Sequence, residues 1–284
     1  MIDAMSAADV FLKAADLNRA DPLLKGCLLT FPNYGQLVMT GDLHGHRRNF
    51  ERIRRFCDLE RFGARHVVLH EIVHEELVGL DAKDHSHLVF LEAARWKCEF
   101  PDQVHFLLGN HELAQLSGHD ITKNGRVVTA AFDESVAETY GRDAAAVQRG
   151  MAAFIRSLPL AGRTPNRVML SHSLPSPREL PTFDATILAR AATDADLRER
   201  GPAHAMVWGR YHTEAALRSL REMFDVDFFL CGHQPQENGF DVQHECLIIL
   251  ASDHNHGVFM TVDLSKPATL ESLTRTIRPL ASLE

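Results

Sequence analysis

The chain lacks several features that mark specialised classes of protein. It contains 12 Pro and 3 Tyr among 284 residues, and its five cysteines include no CxxC pair. Scattered cysteines are typical of reduced, buried thiols, so we expect a cytoplasmic protein without a disulfide framework. No apolar run approaches the ~18 residues of a membrane span, and the N-terminus has no basic start followed by an apolar stretch. We therefore expect neither a membrane anchor nor a signal peptide.

An excess of basic residues is also missing. Lys and Arg total 30 against 38 Asp and Glu, which gives a formal charge of −8. This charge argues against a protein that coats nucleic acid or binds an anionic membrane through a basic face. It does not exclude a substrate that carries phosphate, provided that a metal ion supplies the positive charge. With 45% hydrophobic residues and no linker, residues 1–284 are predicted to form a single domain.

Histidine is the residue in unusual supply, with 17 copies. Neutral imidazole is the commonest metal ligand in proteins, so this number needs an explanation. Part of the explanation is a pattern of apolar runs that each end at polar, metal-capable side chains. These runs, predicted to be strands, are 36–40, 66–69, 104–108, 167–170 and 227–230. Because ligands of α/β sheets gather at the carboxyl ends of strands, the five ends are expected to form one site.

Helical and hairpin patterns lie between and after these runs. Helices are predicted over 6–19, 49–61, 85–100, 182–200 and 213–224, and residues 113–165 are mostly helical in composition. The apolar runs 246–250 and 258–262 flank the polar sequence SDHNHG and predict a hairpin. The alternation of strands and helices indicates an α/β fold.

The first strand run is followed by GDLHGH, in which Asp42 and His44 are two residues apart and can bind one cation. The third is followed by GNHE, where Asn110 offers an amide oxygen and His111 can point at a substrate. A solvated turn and a helix N-cap are the alternative interpretations of these two motifs.

Single histidines follow the last two strand runs. His172 lies in SHS and His233 in CGHQP. One such histidine is usually structural, but two of them in order with the preceding motifs favour a common metal site.

The segment 67–77 contains a second metal-binding pattern, H-E-x-x-H, formed by His70, Glu71 and His74. On a helix, the two histidines would share one face and bind zinc, with Glu71 as the general base of a peptidase. Glu92 is a conceivable third ligand. This zinc peptidase is the first alternative function.

Taken together, GDLHGH, GNHE, SHS and GHQP resemble the calcineurin-like metallophosphoesterase family, over residues 37–262. The branch that is most similar holds the phosphoprotein phosphatases and the symmetrical diadenosine tetraphosphatases, and WGR at 208–210 resembles the latter. The resemblance implies a four-layer α/β sandwich, in which two mixed β-sheets pack face to face with helices outside.

The resemblance also implies roles for individual residues. Implied ligands of a first metal are Asp42 and His44, those of a second are Asn110, His172 and His233, and His111 is the implied general acid. The loop that carries His254 is expected to lie over the site.

The second family motif, G-D-x-x-D-R-G, is divergent in this chain. Glu71 falls on the aspartate that bridges the metals, and its extra methylene still allows a bridge. His74 falls on the aspartate that orients the general acid, and Glu75 on the arginine that clamps phosphate. Candidates for the missing positive charge are Arg47, Arg48 and Arg210.

These observations predict a phosphoester hydrolase of the serine/threonine-phosphatase or diadenosine-tetraphosphatase kind. A hydroxide bound at a dinuclear centre would attack a phosphomonoester or phosphoanhydride. Mixed oxygen and nitrogen ligands favour two divalent or trivalent ions of Mn, Fe or Zn. The expected substrate is a phosphorylated small molecule, a nucleotide or a phosphoprotein. The second alternative function is a non-catalytic member that only binds metal.

Overall fold

The computed structural model describes residues 5–79, 81–123 and 125–283. The strands in this part of the chain are β1 (Leu24–Lys25), β2 (Leu28–Thr30), β3 (Gln36–Asp42), β4 (Arg65–His70), β5 (Val104–Leu107), β6 (Thr122–Lys123), β7 (Arg126–Val127), β8 (Ala161–Arg163), β9 (Val168–Ser171), β10 (Phe228–Cys231), β11 (Phe240–Gln243), β12 (Leu247–Leu250), β13 (Val258–Asp263) and β14 (Arg278–Pro279). The helices are α1 (Ala7–Arg19), α2 (Arg47–Cys57), α3 (Ser86–Glu99), α4 (Asn110–Ser117), α5 (Val128–Tyr140), α6 (Ala144–Arg156), α7 (Asp194–Leu197), α8 (Pro202–Trp208), α9 (Glu214–Phe224) and α10 (Leu270–Thr274).

The strands form two large mixed sheets. One has seven strands in the order β1-β2-β8-β9-β10-β12-β11, and the other has five in the order β14-β13-β3-β4-β5. Strands β3, β4 and β5 are parallel neighbours, and so are β9, β10 and β12. Strands β11, β13 and β14 pair with their neighbours in the antiparallel direction. The short strands β6 and β7 form a separate hairpin.

The two sheets pack face to face, which explains why their strands are apolar on both sides. Met39 of β3 and Leu230 of β10 belong to one buried cluster that contains side chains of both sheets. The alternate residues Val38 and Phe229 belong to a second cluster, which includes the buried faces of the helices. Because successive side chains of a strand point to opposite faces, each sheet contacts the other sheet on one side and helices on its other side. The four-layer α/β sandwich is therefore confirmed.

The five predicted strand runs are confirmed, with ends that shift by one or two residues. The hairpin predicted from 246–250 and 258–262 is wrong. Strand β12 belongs to the seven-stranded sheet and β13 to the five-stranded sheet, so the polar segment between them crosses from one sheet to the other. A hairpin pattern reports only local spacing, whereas the pairing partners of these strands are distant in sequence.

Two predicted helices differ from those observed. The helix predicted over 182–200 is wrong, because Asp184 and Thr193 each cap a separate short helical turn inside this segment. Helix α2 replaces the helix predicted over 49–61. It starts earlier because the His46 imidazole caps its first turn, and it ends at Asp58, which is left-handed with φ 41°.

The segment 113–165 is mostly helical, as predicted, but the β6–β7 hairpin interrupts it. The interruption begins at Gly118, which ends α4 in a left-handed conformation. Among the described residues, no helix has both the length and the apolar character that crossing a bilayer requires.

Candidate functional site

The candidate site lies where the carboxyl ends of parallel strands from both sheets meet. Strand β3 ends at Asp42, β4 ends at His70, and β5 leads through Gly109 into α4. In the other sheet, His172 and His233 follow β9 and β10 within two residues. The two sheets are joined at this edge, because Asp42 forms an isolated parallel bridge with Ala251 and accepts a hydrogen bond from the Ser252 N–H (3.0 Å).

Three predicted ligands form a tight buried group. The Asn110 Oδ1 atom lies 2.8 Å from Nε2 of His172 and 2.8 Å from Nδ1 of His233. The two ring nitrogens are themselves 3.1 Å apart. Asn110 does not act as the helix cap, because Gly109 occupies that position of α4. The structure therefore brings an amide oxygen and two imidazoles from three different strand ends to one point.

Glu71 lies between this group and a second group of side chains. Its Oε2 atom is 3.6 Å from Nε2 of His172 and accepts a hydrogen bond from the His111 N–H (3.2 Å). Its Oε1 atom is 3.8 Å from Nε2 of His44 and 3.8 Å from Nε2 of His111. The two oxygens of one carboxylate thus face two different sets of ligand-type atoms.

Asp42 is held close to the other sheet. Both of its carboxylate oxygens accept from the His233 N–H, at 3.0 and 2.9 Å, and Oδ1 is 3.6 Å from Nδ1 of both His70 and His172. Only glycine fits at position 232, since a Cβ there would lie 2.1 Å from Oδ1 of Asp42. The glycine before His233 therefore permits the contact between the sheets.

The helical zinc-peptidase prediction for His70, Glu71 and His74 is wrong. Strand β4 ends at His70, and both Glu71 (φ 49°) and His74 (φ 63°) are left-handed, so the segment forms no helix and the two histidines do not share a helical face. Nδ1 of His70 faces Nδ1 of His172 at 3.1 Å, whereas Nδ1 of His74 faces Nδ1 of His111 at 2.9 Å.

Glu92, the conceivable third peptidase ligand, lies elsewhere. Its side chain is 44% exposed and forms ion pairs with Arg54 (3.9 Å) and Arg95 (4.0 Å).

Glu112 shapes the turn that follows β4. Its Oε1 atom accepts hydrogen bonds from the N–H groups of Ile72 (2.6 Å) and Val73 (3.2 Å). These bonds replace the partners that the strand no longer provides and hold Glu71 at the centre of the site.

The predicted phosphate-binding arginines occupy different environments. Arg47 and Arg48 are exposed in the first turn of α2, and the Arg47 guanidinium donates to Glu51 of the same helix (2.9 Å). Arg210 lies at the site, where its Nε donates to Nε2 of His233 (2.9 Å).

Lys123 of β6 also reaches the site, with Nζ 3.3 Å from Nε2 of His44. Sequence reasoning missed Lys123 because a two-residue strand produces no apolar pattern.

His254 lies on the connection between β12 and β13, at the edge of the site. Its imidazole binds the carbonyl of Gln236 (2.9 Å), and its own carbonyl accepts from the Asn49 side chain (2.9 Å). The imidazole thus holds the connection in place rather than facing Glu71.

The electrostatics of the site favour a bound cation. Burial raises the pKa of Asp42 to about 8, and burial together with the neighbouring Glu112 and Asp42 raises the pKa of Glu71 well above its usual range. Burial lowers the pKa of His44 to about 3, so this imidazole is neutral and suited to ligate a metal. Buried carboxylates that resist ionisation, beside neutral imidazoles, form a donor set that a divalent ion satisfies.

Two compact triads of ligand-type side chains occur among the described residues. Asp42, His70 and His172 each offer a ligand atom within 4.8 Å of the others, and so do His44, Glu71 and His111. Carboxylate oxygens and imidazole nitrogens are ligands of Zn, Fe and Mn, so the donor chemistry fits the expected metals.

Comparisons with known proteins bear on the family and the fold of the chain. A family model described as calcineurin-like phosphoesterase matches residues 36–237. No curated protein sequence matches the chain significantly.

Solved structures with a similar fold include two phosphatases. One is a protein serine/threonine phosphatase from Saccharomyces cerevisiae with similarity to human phosphatase PP5 (TM-score 0.67, 15% identity, 90% of this chain and 82% of that chain). Another is the cold-active protein-tyrosine phosphatase of a psychrophile, Shewanella sp. (TM-score 0.57, 17% identity, 88% of this chain and 82% of that chain). At these identities the likeness establishes the fold.

Proposed function

Because the chain belongs to the calcineurin-like phosphoesterase family, we propose that it hydrolyses a phosphomonoester or a phosphoanhydride at a centre of two metal ions. The observation that carries this proposal is the position of Glu71. One of its oxygens lies 3.8 Å from His44, and the other lies 3.6 Å from His172. A carboxylate placed in this way can bridge two ions.

The proposed ligands divide between the two oxygens of Glu71. A first ion would be held by Asp42, His44 and Glu71. A second ion would be held by Glu71, Asn110, His172 and His233. Ions of Mn, Fe or Zn would supply Lewis-acid activation of water and of the phosphoryl oxygens.

His111 is the proposed proton donor to the leaving oxygen. Its Nε2 atom lies 3.8 Å from Glu71, on the side of the carboxylate that faces His44. A proton that is taken up at this nitrogen can be passed to the oxygen that leaves phosphorus. Burial, with help from the charge of neighbouring groups, lowers the pKa of His111 well below its usual range, so the ring is neutral until it takes up that proton.

Lys123 and Arg210 are the proposed phosphate-binding cations. Glu75, at the position of the family's clamp arginine, is turned away and accepts from the backbone N–H of His85. Lys123 and Arg210 instead reach the site, where they contact His44 and His233 respectively. Such contacts suit a phosphorylated small molecule, a nucleotide or a phosphoprotein.

The experiment that tests the proposed function is substitution of Asp42 by Ala. We expect the purified variant to lose metal, measured by elemental analysis, and to lose turnover of p-nitrophenyl phosphate with Mn, Fe or Zn. Asp16→Ala is the matched control, because Asp16 is 80% exposed and pairs with Arg19 on the surface. Unchanged metal content and turnover in Asp42→Ala would contradict the site. Metal bound by the native protein without turnover of any phosphoester would assign it a binding role instead.

A second experiment tests the phosphate contact. Lys123→Gln should raise KM by about tenfold, the effect of one charge-assisted hydrogen bond, while metal content is unchanged. Arg126→Gln is the control in the same hairpin, since the Arg126 guanidinium binds the carbonyl of Ala82 (2.8 Å). An equal KM in Lys123→Gln and the native protein would exclude Lys123 from substrate binding.

A further inference from the structure

We propose that His70 and His74 are positioning residues that fix the tautomers of His172 and His111. Each would leave the Nε2 atom of its partner unprotonated and directed at Glu71. The inference rests on the proposed function for its catalytic meaning, but its geometry involves only the contacts of these four imidazoles.

The first chain of contacts starts at a backbone carbonyl. Nε2 of His70 lies 2.9 Å from the Thr40 carbonyl oxygen, which can only accept, so Nε2 carries the proton of the neutral ring. Nδ1 of His70 is then bare and accepts from Nδ1–H of His172, 3.1 Å away. The neutral ring of His172 therefore carries its proton on Nδ1, and its Nε2 is unprotonated.

The unprotonated nitrogen of His172 lies 2.8 Å from Oδ1 of Asn110, 3.6 Å from Oε2 of Glu71 and 3.1 Å from Nδ1 of His233. Because Arg210 donates to Nε2 of His233, Nδ1 of His233 carries the proton of that ring and can donate to Nε2 of His172. A metal ion placed among these atoms would take the place of that proton. Histidine ligands usually donate their second ring N–H to an acceptor, and here that acceptor is another histidine.

The second chain starts at a side-chain amide. The Gln115 NH₂ group donates to Asp133 (2.9 Å), which directs its Oε1 atom at Nε2 of His74 (2.8 Å). His74 therefore carries its proton on Nε2 and accepts at Nδ1 from Nδ1–H of His111 (2.9 Å). As a result, Nε2 of His111 is unprotonated and can take up or release a proton near Glu71.

His44 shows the same outcome without an intermediate ring. Its Nδ1 donates directly to the Val73 carbonyl (3.0 Å), and its Nε2 is bare toward Glu71. His172 and His111 are each linked only indirectly to the oxygen that sets the tautomer. The ring of His70 lies between His172 and the Thr40 carbonyl, and the ring of His74 lies between His111 and the Gln115 amide oxygen. Both histidines of the H-E-x-x-H pattern thus have the same role, with two different partners.

Nitrogen NMR of the metal-free protein tests the tautomers directly. In ¹⁵N-histidine-labelled protein, long-range ¹H–¹⁵N correlations distinguish protonated from bare ring nitrogens. His172→Gln and His111→Gln identify the two spin systems by their absence. We expect both residues to carry the proton on Nδ1. A proton on Nε2 of either residue would overturn the inference for that residue.

Variants of His70 test the consequence for metal binding. His70→Phe keeps a ring but removes both nitrogens, and it should weaken Zn or Mn binding by about 10- to 100-fold, the usual effect of losing such a partner. His70→Gln should restore most of the affinity, because its amide can donate to Thr40 and accept from His172. His105→Phe is the matched control, since the buried His105 belongs to another histidine pair, with Nε2 3.0 Å from His66. Equal metal affinity in His70→Phe and native protein would contradict the role of His70.

Variants of His74 should separate proton transfer from binding. His74→Phe should lower kcat about tenfold or more while KM and metal content stay unchanged, because His111 would lose the acceptor that sets its tautomer. His74→Asp should recover kcat, since Asp accepts from Nδ1–H of His111 and tolerates the left-handed φ of 63°. A fall in metal content, or a failure of Asp to exceed Phe, would overturn this part. If the native protein bound no metal, the proposed function would fail, whereas the tautomers of the metal-free protein would still decide the inference.

Discussion

The two ends of strand β4 each carry a pair of histidines beside buried carboxyl groups, and the charges of these carboxyl groups are compensated in different ways. At the amino end, His105 lies 3.0 Å from His66, and its Nδ1 is 2.9 Å from Asp21. The Lys97 ammonium donates to the same carboxylate oxygen of Asp21 (3.1 Å). At the carboxyl end, His70 contacts His172 beside the carboxylates of Asp42 and Glu71, where Lys123 contacts the ring of His44 instead of a carboxylate.

The pKa values of the carboxyl groups express this difference. Burial alone would raise the pKa of Asp21, but the hydrogen bond from His105 and the charges of His105 and Lys97 lower it to about 2. Burial raises the pKa of Asp42 to about 8, despite the His233 N–H bonds that oppose the rise. The protein compensates the charge of Asp21 with its own lysine, whereas in the proposed function metal ions compensate the carboxylates at the other end. Comparable burial would thus serve stability at one end of the strand and metal binding at the other.

Glu71→Gln, at the carboxyl end of β4, should have the largest effect on turnover. Loss of the proposed bridging carboxylate should reduce turnover by about 10³- to 10⁴-fold, since metal-assisted catalysis contributes several kcal/mol. In the absence of metal, the same variant should resist urea better than the native protein, because a buried uncompensated carboxyl group is replaced by a neutral amide. Turnover assays and urea titration of metal-free protein measure the two effects. Lower stability of metal-free Glu71→Gln would show that the site is compensated by the protein itself.

Asp21→Ala should have the opposite profile. Lys97, whose side chain is fully buried, would lose its carboxylate, and the free energy of unfolding should fall by about 3 kcal/mol. Metal affinity should stay unchanged, because the substitution lies at the far end of β4. The double variant Asp21→Ala, Lys97→Met should be more stable than Asp21→Ala alone. A change in metal affinity comparable to that of Glu71→Gln would remove the distinction between the two ends.

Metal should stabilise the folded protein only through the proposed site at the carboxyl end of β4. A free concentration of Mn or Zn that is 100 times Kd should raise the free energy of unfolding by about 2.7 kcal/mol. Asp21→Ala should show the same increment, and Glu71→Gln should show almost none. Thermal unfolding at several metal concentrations, with EDTA as the reference, gives the increments. Equal increments in all three proteins would place the metal elsewhere.

Acid should reduce the contribution of Asp21 to the free energy of unfolding. The pKa of Asp21 is about 2 in the folded protein and about 3.9 in the unfolded chain, so its contribution is fully present above pH 4 and is lost as pH falls through 2. The difference in unfolding free energy between native protein and Asp21→Asn should therefore shrink by about 2 kcal/mol between pH 5 and pH 2. Urea titrations across this range measure it, and a difference independent of pH would show that Asp21 titrates normally.

Much of the fold could be predicted from sequence because its central strands are buried on both faces. Such strands appear as short apolar runs, and the polar residues that follow them, such as Asp42 and His172, must lie at the sheet edge. The partners of β12 and β13 could not be predicted, since a polar turn between two strands is also the mark of a hairpin. The contact of His70 with His172 spans 102 residues and depends on how two sheets meet. Lys123 was missed because it lies on a short hairpin, whose placement depends on tertiary contacts rather than local pattern.

The packing of the two sheets has a consequence for metal selectivity. Asp42, Glu71 and Asn110 follow strands of the five-stranded sheet, whereas His172 and His233 follow strands of the seven-stranded sheet. The thickness of the apolar layer between the sheets, where Met39 and Leu230 are buried, therefore sets the distance between the two halves of the proposed ligand set. Ions of different radius require different distances, so an apolar side chain of this layer should help to decide which ion is accepted. Leu230→Ala should alter the relative affinities for Mn and Zn while every ligand remains in place.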